Sequence, residues 1–186
     1  MSAPPLLILT GAGISAESGL ATFRDPGGLW ERHRPEELAT PEAFARDPDL
    51  VHRFYNARRA QLAGVAPNAA HHALARLVGR WPAACLLVTQ NVDDLHDRAM
   101  PADCAGRLLP MHGALRRIRC LACGAVRAWL DDLSTATPCP ACGRPGGLRP
   151  DIVWFGETPM GLERIEAAMA GCRLFLSIGT SGQVYP

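Results

Sequence analysis

Near its start the chain carries an apolar run, "LLILT", that passes directly into "GAGIS". A short apolar run closed by glycines predicts a buried strand and a tight turn, followed by a helix with Ser15 as its cap. The next segment, "RDPGGLW", has a proline and paired glycines that predict a mobile loop. From about Thr40 to Leu62 the apolar positions Leu50, Val51, Phe54 and Leu62 recur with helical spacing, with Pro41 at a start and Pro48 at a break. A second helix is expected around His71 to Val78. "ACLLVTQNVDDLH" then reads as a strand that runs straight into a polar loop, and "RLFLSIGTS" repeats that pattern. In an open parallel sheet, loops at the carboxyl ends of strands hold the ligand. The stretch from Cys120 to Cys142 interrupts this α/β alternation.

At 186 residues the chain can bury one good core and leaves room for a small inserted module. Its formal net charge of +1, with 48% hydrophobic residues, predicts no electrostatic footprint for nucleic acid or an anionic membrane. No apolar run approaches the roughly 18 to 20 residues a membrane span needs. The first apolar run lacks a basic leader, so no signal peptide is expected. Seven cysteines, an odd number, argue against a disulfide framework and for a reducing, cytoplasmic compartment.

The strongest chemical signal is "CLAC" and "CPAC", which set Cys120, Cys123, Cys139 and Cys142 as two C-x2-C knuckles fifteen residues apart. Four thiolates can close a tetrahedral cage round zinc and leave no open position, which makes the metal structural. Cys85, Cys104 and Cys172 sit in apolar or loop contexts and read as inert. "GAGIS" could present Gly11, Ala12 and Gly13 to a pyrophosphate, though a third glycine at the usual dinucleotide spacing is absent and a purely structural turn fits as well. Gln90, Asn91 and Asp93 bring amides and a carboxylate to one loop, where each could equally be a turn or cap residue. His112 in "MHG" is a general base or an ordinary bonded histidine. "VWFGE" joins apolar bulk to a glycine that could let an extended peptide pair with the backbone. In "FYNARR", Tyr55 and Arg58 share a face if the segment is helical: a solvated surface, or a fork for a carboxylate.

Taken together and in this order, "GAGIS" with "ESG", "TFRDPGGLW", "TQNVDDLH", "MHG", the two knuckles, "VWFGE" and "GTS" resemble the sirtuins, the NAD-dependent protein lysine deacylases. The resemblance covers essentially the whole chain, 1–186. It implies a Rossmann-like parallel sheet domain with a small zinc-binding module inserted at about 114–150, and NAD and an acyl-lysine peptide meeting in the cleft between them. By resemblance, Gly11, Ala12, Gly13 and Ser15 line the dinucleotide and nicotinamide pocket, and Phe23 and Arg24 sit on the cofactor loop. Gln90 contacts ribose, Asn91 positions ribose or water, Asp93 holds the carboxamide, and Gly179, Thr180 and Ser181 bind phosphate and ribose. His112 is the implied base, with Asn91 beside it in the chemistry, and Val153, Phe155 and Gly156 grip the substrate. The implied reaction consumes NAD and yields nicotinamide, free lysine and an O-acyl-ADP-ribose. All 19 residues counted as Lys or Arg are arginine, so no side chain of this protein could be its own substrate.

The branch of that family acting on malonyl, succinyl and glutaryl groups carries a Tyr-x-x-Arg pair where this chain has Tyr55 and Arg58, and a small residue where it has Ala39. The resemblance thus implies a preference for acidic acyl groups. Against the family pattern the chain is C-terminally short after "GTSGQVYP", and the loop "RAMPADCAGRLLP" before His112 is a few residues longer. The alternative expectation is a truncated, catalytically inactive protein that binds NAD and zinc as an interaction module. A zinc-ribbon nucleic-acid binder is disfavoured by the near-neutral charge, and ADP-ribosyl transfer remains compatible with the same cofactor.

Overall fold

The computed structural model describes residues 4–21 and 34–182; Phe23, Arg24 and the "RDPGGLW" loop lie outside them. The chain runs β1 (Leu6–Thr10), a 3-10 helix (Ala12–Ser18), α1 (Pro35–Leu38), α2 (Pro41–Arg46), α3 (Pro48–Gln61), a 3-10 turn (Leu62–Gly64) and α4 (Ala69–Arg80). Next come β2 (Cys85–Thr89), α5 (Leu95–Ala99), a 3-10 helix (Ala102–Arg107), β3 (Leu108–Pro110), β4 (Gly113–Cys120), β5 (Val126–Ala128), β6 (Leu148–Ile152), α6 (Leu162–Gly171) and β7 (Leu174–Ile178).

Four strands form a parallel sheet in the order β3-β2-β1-β7. Its strands alternate between two covered faces, as a parallel sheet requires. Leu6, Ile8 and Leu87 pack with Leu74 and Val78 of α4, while Leu7, Leu86 and Val88 face Ile165 and Ala168 of α6. Strand order reverses at β1, which has β2 on one side and β7 on the other. The crevice outside the carboxyl ends at such a switch point is where open α/β sheets bind ligands. At β7, Leu174 is 39% and Phe175 48% exposed, and among the described residues this strand has a single neighbour.

The antiparallel sheet β5-β4-β6 stands apart from the first. Gly113 starts β4 at φ +84°, and an added Cβ would come 2.0 Å from the Asp151 carbonyl oxygen, so only glycine permits this pairing. One small core, Ile118, Cys120, Leu133, Cys139 and Leu148, lies under the cysteine knuckles. A second joins α2 and α3 to this sheet through Phe44, Val51, Tyr55, Leu115, Ile152 and Trp154. Helix α3 is also fastened there by polar bonds. Buried Arg59 donates from Nε to the Leu115 carbonyl (2.8 Å) and from Nη1 to that of Asp131 (3.1 Å). Asn56 pairs in both directions with the backbone of Leu133, at 2.9 Å each way.

The segment expected as helical from Thr40 to Leu62 is two helices broken where Pro48 requires it, capped by the side chains of Thr40 and Asp47. Ser15 is not a cap. The turn after β1 closes with an i to i+3 bond, Ile14 N–H to the Gly11 carbonyl (3.1 Å), and continues as a 3-10 helix with Ser15 buried inside it. The stretch before His112 is not a plain loop either, because Leu108–Pro110 pairs with β2 as β3. Among the described residues no helix is long and apolar enough to cross a membrane.

Candidate active site

Residues from four segments converge at the carboxyl ends of the parallel strands. The turn after β1 and the loop after β7 touch backbone to backbone, with Gly11 N–H donating to the Ile178 carbonyl (3.1 Å) and Gly13 N–H to that of Gly179 (2.8 Å). A Cβ on Gly11 would lie 2.6 Å from Thr180 Cβ, and one on Gly179 (φ +65°) 2.4 Å from Ile14 N. These glycines therefore do more than shape a turn, since they let the two loops close against each other. Thr180 Oγ1 then donates to Gln90 Oε1 at 2.8 Å, tying in the loop after β2.

Ser15, Asn91 and Asp93 form a connected group. The Ser15 hydroxyl donates to Asp93 Oδ2 (2.9 Å) and accepts from Asn91 Nδ2 (3.0 Å). Burial raises the Asp93 pKa, against the opposing effects of the Leu95 N–H and the Ser15 hydroxyl. Behind them, His71 Nε2 stands 3.5 Å from Ser15 Oγ, and the His71 ring meets His96 edge-on at 4.8 Å. Burial lowers His71 to about 4 and His96 to about 3, so both are neutral at physiological pH. The sequence offered no signal for this pair beyond their places in a helix and a loop.

His112 lies between β3 and β4 with Nδ1 3.0 Å from the Gln90 carbonyl oxygen. A carbonyl can only accept, so in the neutral ring Nδ1 carries the hydrogen and Nε2 the lone pair. That is the tautomer a proton acceptor needs.

The cleft itself encloses about 400 Å³ including its mouth and is lined by Ala12, Ser15, Arg58, Asn91, Asp93 and Leu115, among others. Arg58 is half-buried, with its guanidinium carbon 5.9 Å from the Phe54 ring centre. Burial lowers its pKa, opposed by the charges of Tyr55 and Asp93. Among the described residues no acceptor lies within hydrogen-bonding or ion-pair range of it. Tyr55, one turn earlier, is not part of the cleft wall. Its ring belongs to the core beside α3, and its hydroxyl accepts from the Trp154 indole N–H at 2.9 Å.

Val153 and Phe155 follow β6 beside His112, with Val153 N–H donating to the His112 carbonyl and Phe155 N–H to that of Ala39, each at 2.9 Å. These two amides are therefore already bonded, and a peptide could not use them for pairing. Gly156 takes φ +88°, a conformation few other residues adopt. Three functional-site neighbours escaped the sequence reading: Trp154, Arg149 and Glu157. Arg149 sits 3.4 Å over the Trp154 ring and holds Glu157 through two bonds of 2.7 and 2.9 Å.

In the second sheet the four sulfurs of Cys120, Cys123, Cys139 and Cys142 lie within 4.8 Å of one another, with two pairs 3.9 Å apart. A tetrahedron of sulfurs at the usual zinc bond length of about 2.3 Å has edges of about 3.8 Å. The spacing fits one zinc ion and excludes disulfides. Gly124 and Gly143, after each knuckle, take φ of +72° and +74° and turn the chain back over its sulfurs.

The class of protein is thus a Rossmann-like dinucleotide domain carrying a four-cysteine metal lobe, its cleft lined by a Ser, an Asn and an Asp. The model of the Sir2 family matches residues 11–186, and the chain belongs to that family. It is 60% identical to an NAD-dependent protein deacylase of Bdellovibrio bacteriovorus over 97% of this chain and 76% of the relative. A deacylase of Yersinia pestis is 53% identical over 100% of this chain and 66% of its own length. The chain thus spans about two thirds to three quarters of the length of these curated relatives. Among solved structures, a Sir2 homologue mutant in complex with ADP-ribose superimposes with TM-score 0.85 at 41% identity, covering 97% of this chain and 72% of that one. A Sir2 homologue–NAD complex gives 0.82 at 42% identity over 97% and 70%.

Proposed function

We propose that this chain is an NAD-dependent protein lysine deacylase that acts on acyl-lysine proteins and prefers succinyl or malonyl groups to acetyl. The deacylase reading follows from its family and from relatives up to 60% identical over nearly the whole chain. The acyl preference is carried by one observation: a half-buried arginine, Arg58, in the cleft wall with no acceptor among the described residues. A guanidinium held out of water beside a cleft favours a carboxylate ligand, which it can bind through a two-pronged, charge-assisted contact.

The residues present suit NAD. Asn91 and Asp93 offer acceptors to a carboxamide, Gly11, Ala12 and Gly13 with Gly179, Thr180 and Ser181 bring two turns together for phosphates and ribose, and Gln90 bridges them. Bound NAD supplies an electrophilic ribose carbon and is consumed. Ser15 orients Asp93 and Asn91 through its two hydrogen bonds. His112 takes a proton at Nε2 from a ribose hydroxyl, its Nδ1–H held by Gln90. Val153, Phe155 and Gly156 seat the peptide, and Arg58, in the cleft wall, reads the end of the acyl chain while Tyr55 packs in the core one turn earlier on its helix. The four cysteines hold a structural zinc that takes no part in the chemistry. The seven reduced cysteines suit a cytoplasmic setting, and no nucleic-acid or membrane partner is invoked.

The test is mass spectrometry of matched acetyl-lysine and succinyl-lysine peptides, with and without NAD, for the wild-type protein and Arg58→Met. Loss of one charge-assisted contact is worth about 1.5 to 3 kcal/mol, so the succinyl preference in kcat/KM should fall about ten- to hundredfold. An unchanged ratio would overturn the assignment of Arg58.

A further inference from the structure

Asn68 caps helix α4 with one end of its side-chain amide and holds the turn after β1 with the other. Its Oδ1 accepts the backbone N–H groups of Ala70 (2.9 Å) and His71 (3.3 Å), and its own backbone N–H donates to His71 Nδ1 at 3.3 Å, completing a capping box. With the oxygen so used, Nδ2 donates to the Ile14 carbonyl at 2.8 Å, 54 positions earlier in the chain. Flipping the amide would set its NH2 against two N–H donors and its oxygen against a carbonyl, so this orientation alone satisfies these partners.

The carbonyl that Asn68 holds belongs to the peptide joining Ile14 to Ser15, both of them buried. Ser15 is thereby gripped at its backbone from α4 and at its hydroxyl by Asn91 and Asp93. The same cap fixes the His71 ring, whose Nε2 stands 3.5 Å from the Ser15 hydroxyl oxygen. A hydroxyl that donates to Asp93 and accepts from Asn91 at once tolerates little displacement, because hydrogen bonds weaken steeply as distance and angle degrade. Asn68 does not line the cleft, whereas Ser15, Asn91 and Asp93 do, so its effect on a ligand there passes through the turn.

Resting on the NAD reading above, we propose that Asn68 is a positioning residue for the nicotinamide end of the cofactor. Its amide nitrogen fixes the Ile14–Ser15 peptide, which sets where the Ser15 hydroxyl stands and so aims Asn91 and Asp93 at the carboxamide. The amide oxygen stabilises α4, while the nitrogen serves the site. Because the two roles use different atoms, a substitution can separate them.

The test is Asn68→Ser, which keeps a capping oxygen and removes the nitrogen. Three quantities are read: the KM for NAD, the inhibition constant of ADP-ribose, which lacks the nicotinamide, and the melting temperature. The KM is expected to rise about three- to tenfold, with ADP-ribose inhibition held within about twofold and the melting temperature within about 3 °C. Equal weakening of both ligands would mark Asn68 as merely structural, and an unchanged KM would also overturn the proposal. Should Asn68→Ser lose cooperative melting, Asn68→Asp takes its place, since a carboxylate caps a helix at least as well and also lacks the donor. The same split between the ligands is expected there, and loss of folding in both variants would show a structural role only. Where turnover is too slow to measure, calorimetric Kd values for NAD and ADP-ribose are read in the same way. Wild-type protein that neither turns over nor binds NAD would sink the cofactor reading and this inference with it.

Discussion

His112 and Gln90 fix each other's roles: a backbone carbonyl 3.0 Å from Nδ1 holds the imidazole hydrogen on that side and leaves Nε2 to accept. Replacing His112 with Ala should lower the steady-state rate by about 10²- to 10⁴-fold, the usual range for a general acid or base. Quantifying O-acyl-ADP-ribose by mass spectrometry checks this. A variant that retains wild-type turnover would remove His112 from the proton transfer.

Metal content gives a second expectation. Elemental analysis should find one zinc per chain, lost on Cys139→Ser. Cys120 and Cys139 belong to a core of only five buried residues, so that lobe has little else to hold it together. The melting temperature is expected to fall by more than about 5 °C when zinc is stripped. Thermal scans with and without chelator measure it, and coincident curves would show that the sulfurs hold no structural ion.

A third expectation concerns acid. His71 and His96 are 0% and 2% exposed and are held neutral, at about 4 and about 3 against an unfolded value of 6.5. The unfolded chain binds protons in that window while the folded chain does not, so folding stability falls as pH drops below about 6.5. For His71 alone the loss by pH 4 is on the order of 3 kcal/mol. Melting curves from pH 7 to pH 4 should show the decline, and His71→Gln should flatten it. An equally steep decline in that variant would place the acid sensitivity elsewhere.

Much of this could be read from residue patterns because the causes were local. Pro48 had to break a helix, glycines had to follow the cysteine knuckles, and apolar runs had to become sheet strands. Gln90, Asn91 and Asp93 were recognisable because a polar loop directly follows a strand. What stayed hidden depended on contacts between distant residues. Nothing near Tyr55 announces that Trp154, 99 positions later, donates to its hydroxyl. Nothing in "GLRPDI" shows that Arg149 lies over an indole. Ser15 looked like a cap because the chain around it looks helical; its hydroxyl instead serves Asp93, 78 positions on.

The bonds of Arg59 to Leu115 and Asp131, and of Asn56 to Leu133, have a mechanical consequence. They bolt the helix bearing Arg58 to the metal-stapled lobe, while Ser15 and Asp93 ride on loops of the parallel sheet. Any hinge opening between the two sheets would therefore draw Arg58 away from Asp93, the two groups proposed above to meet the acyl tail and the nicotinamide. Under those proposed roles, acyl tail and leaving group would be held at once only in the closed arrangement.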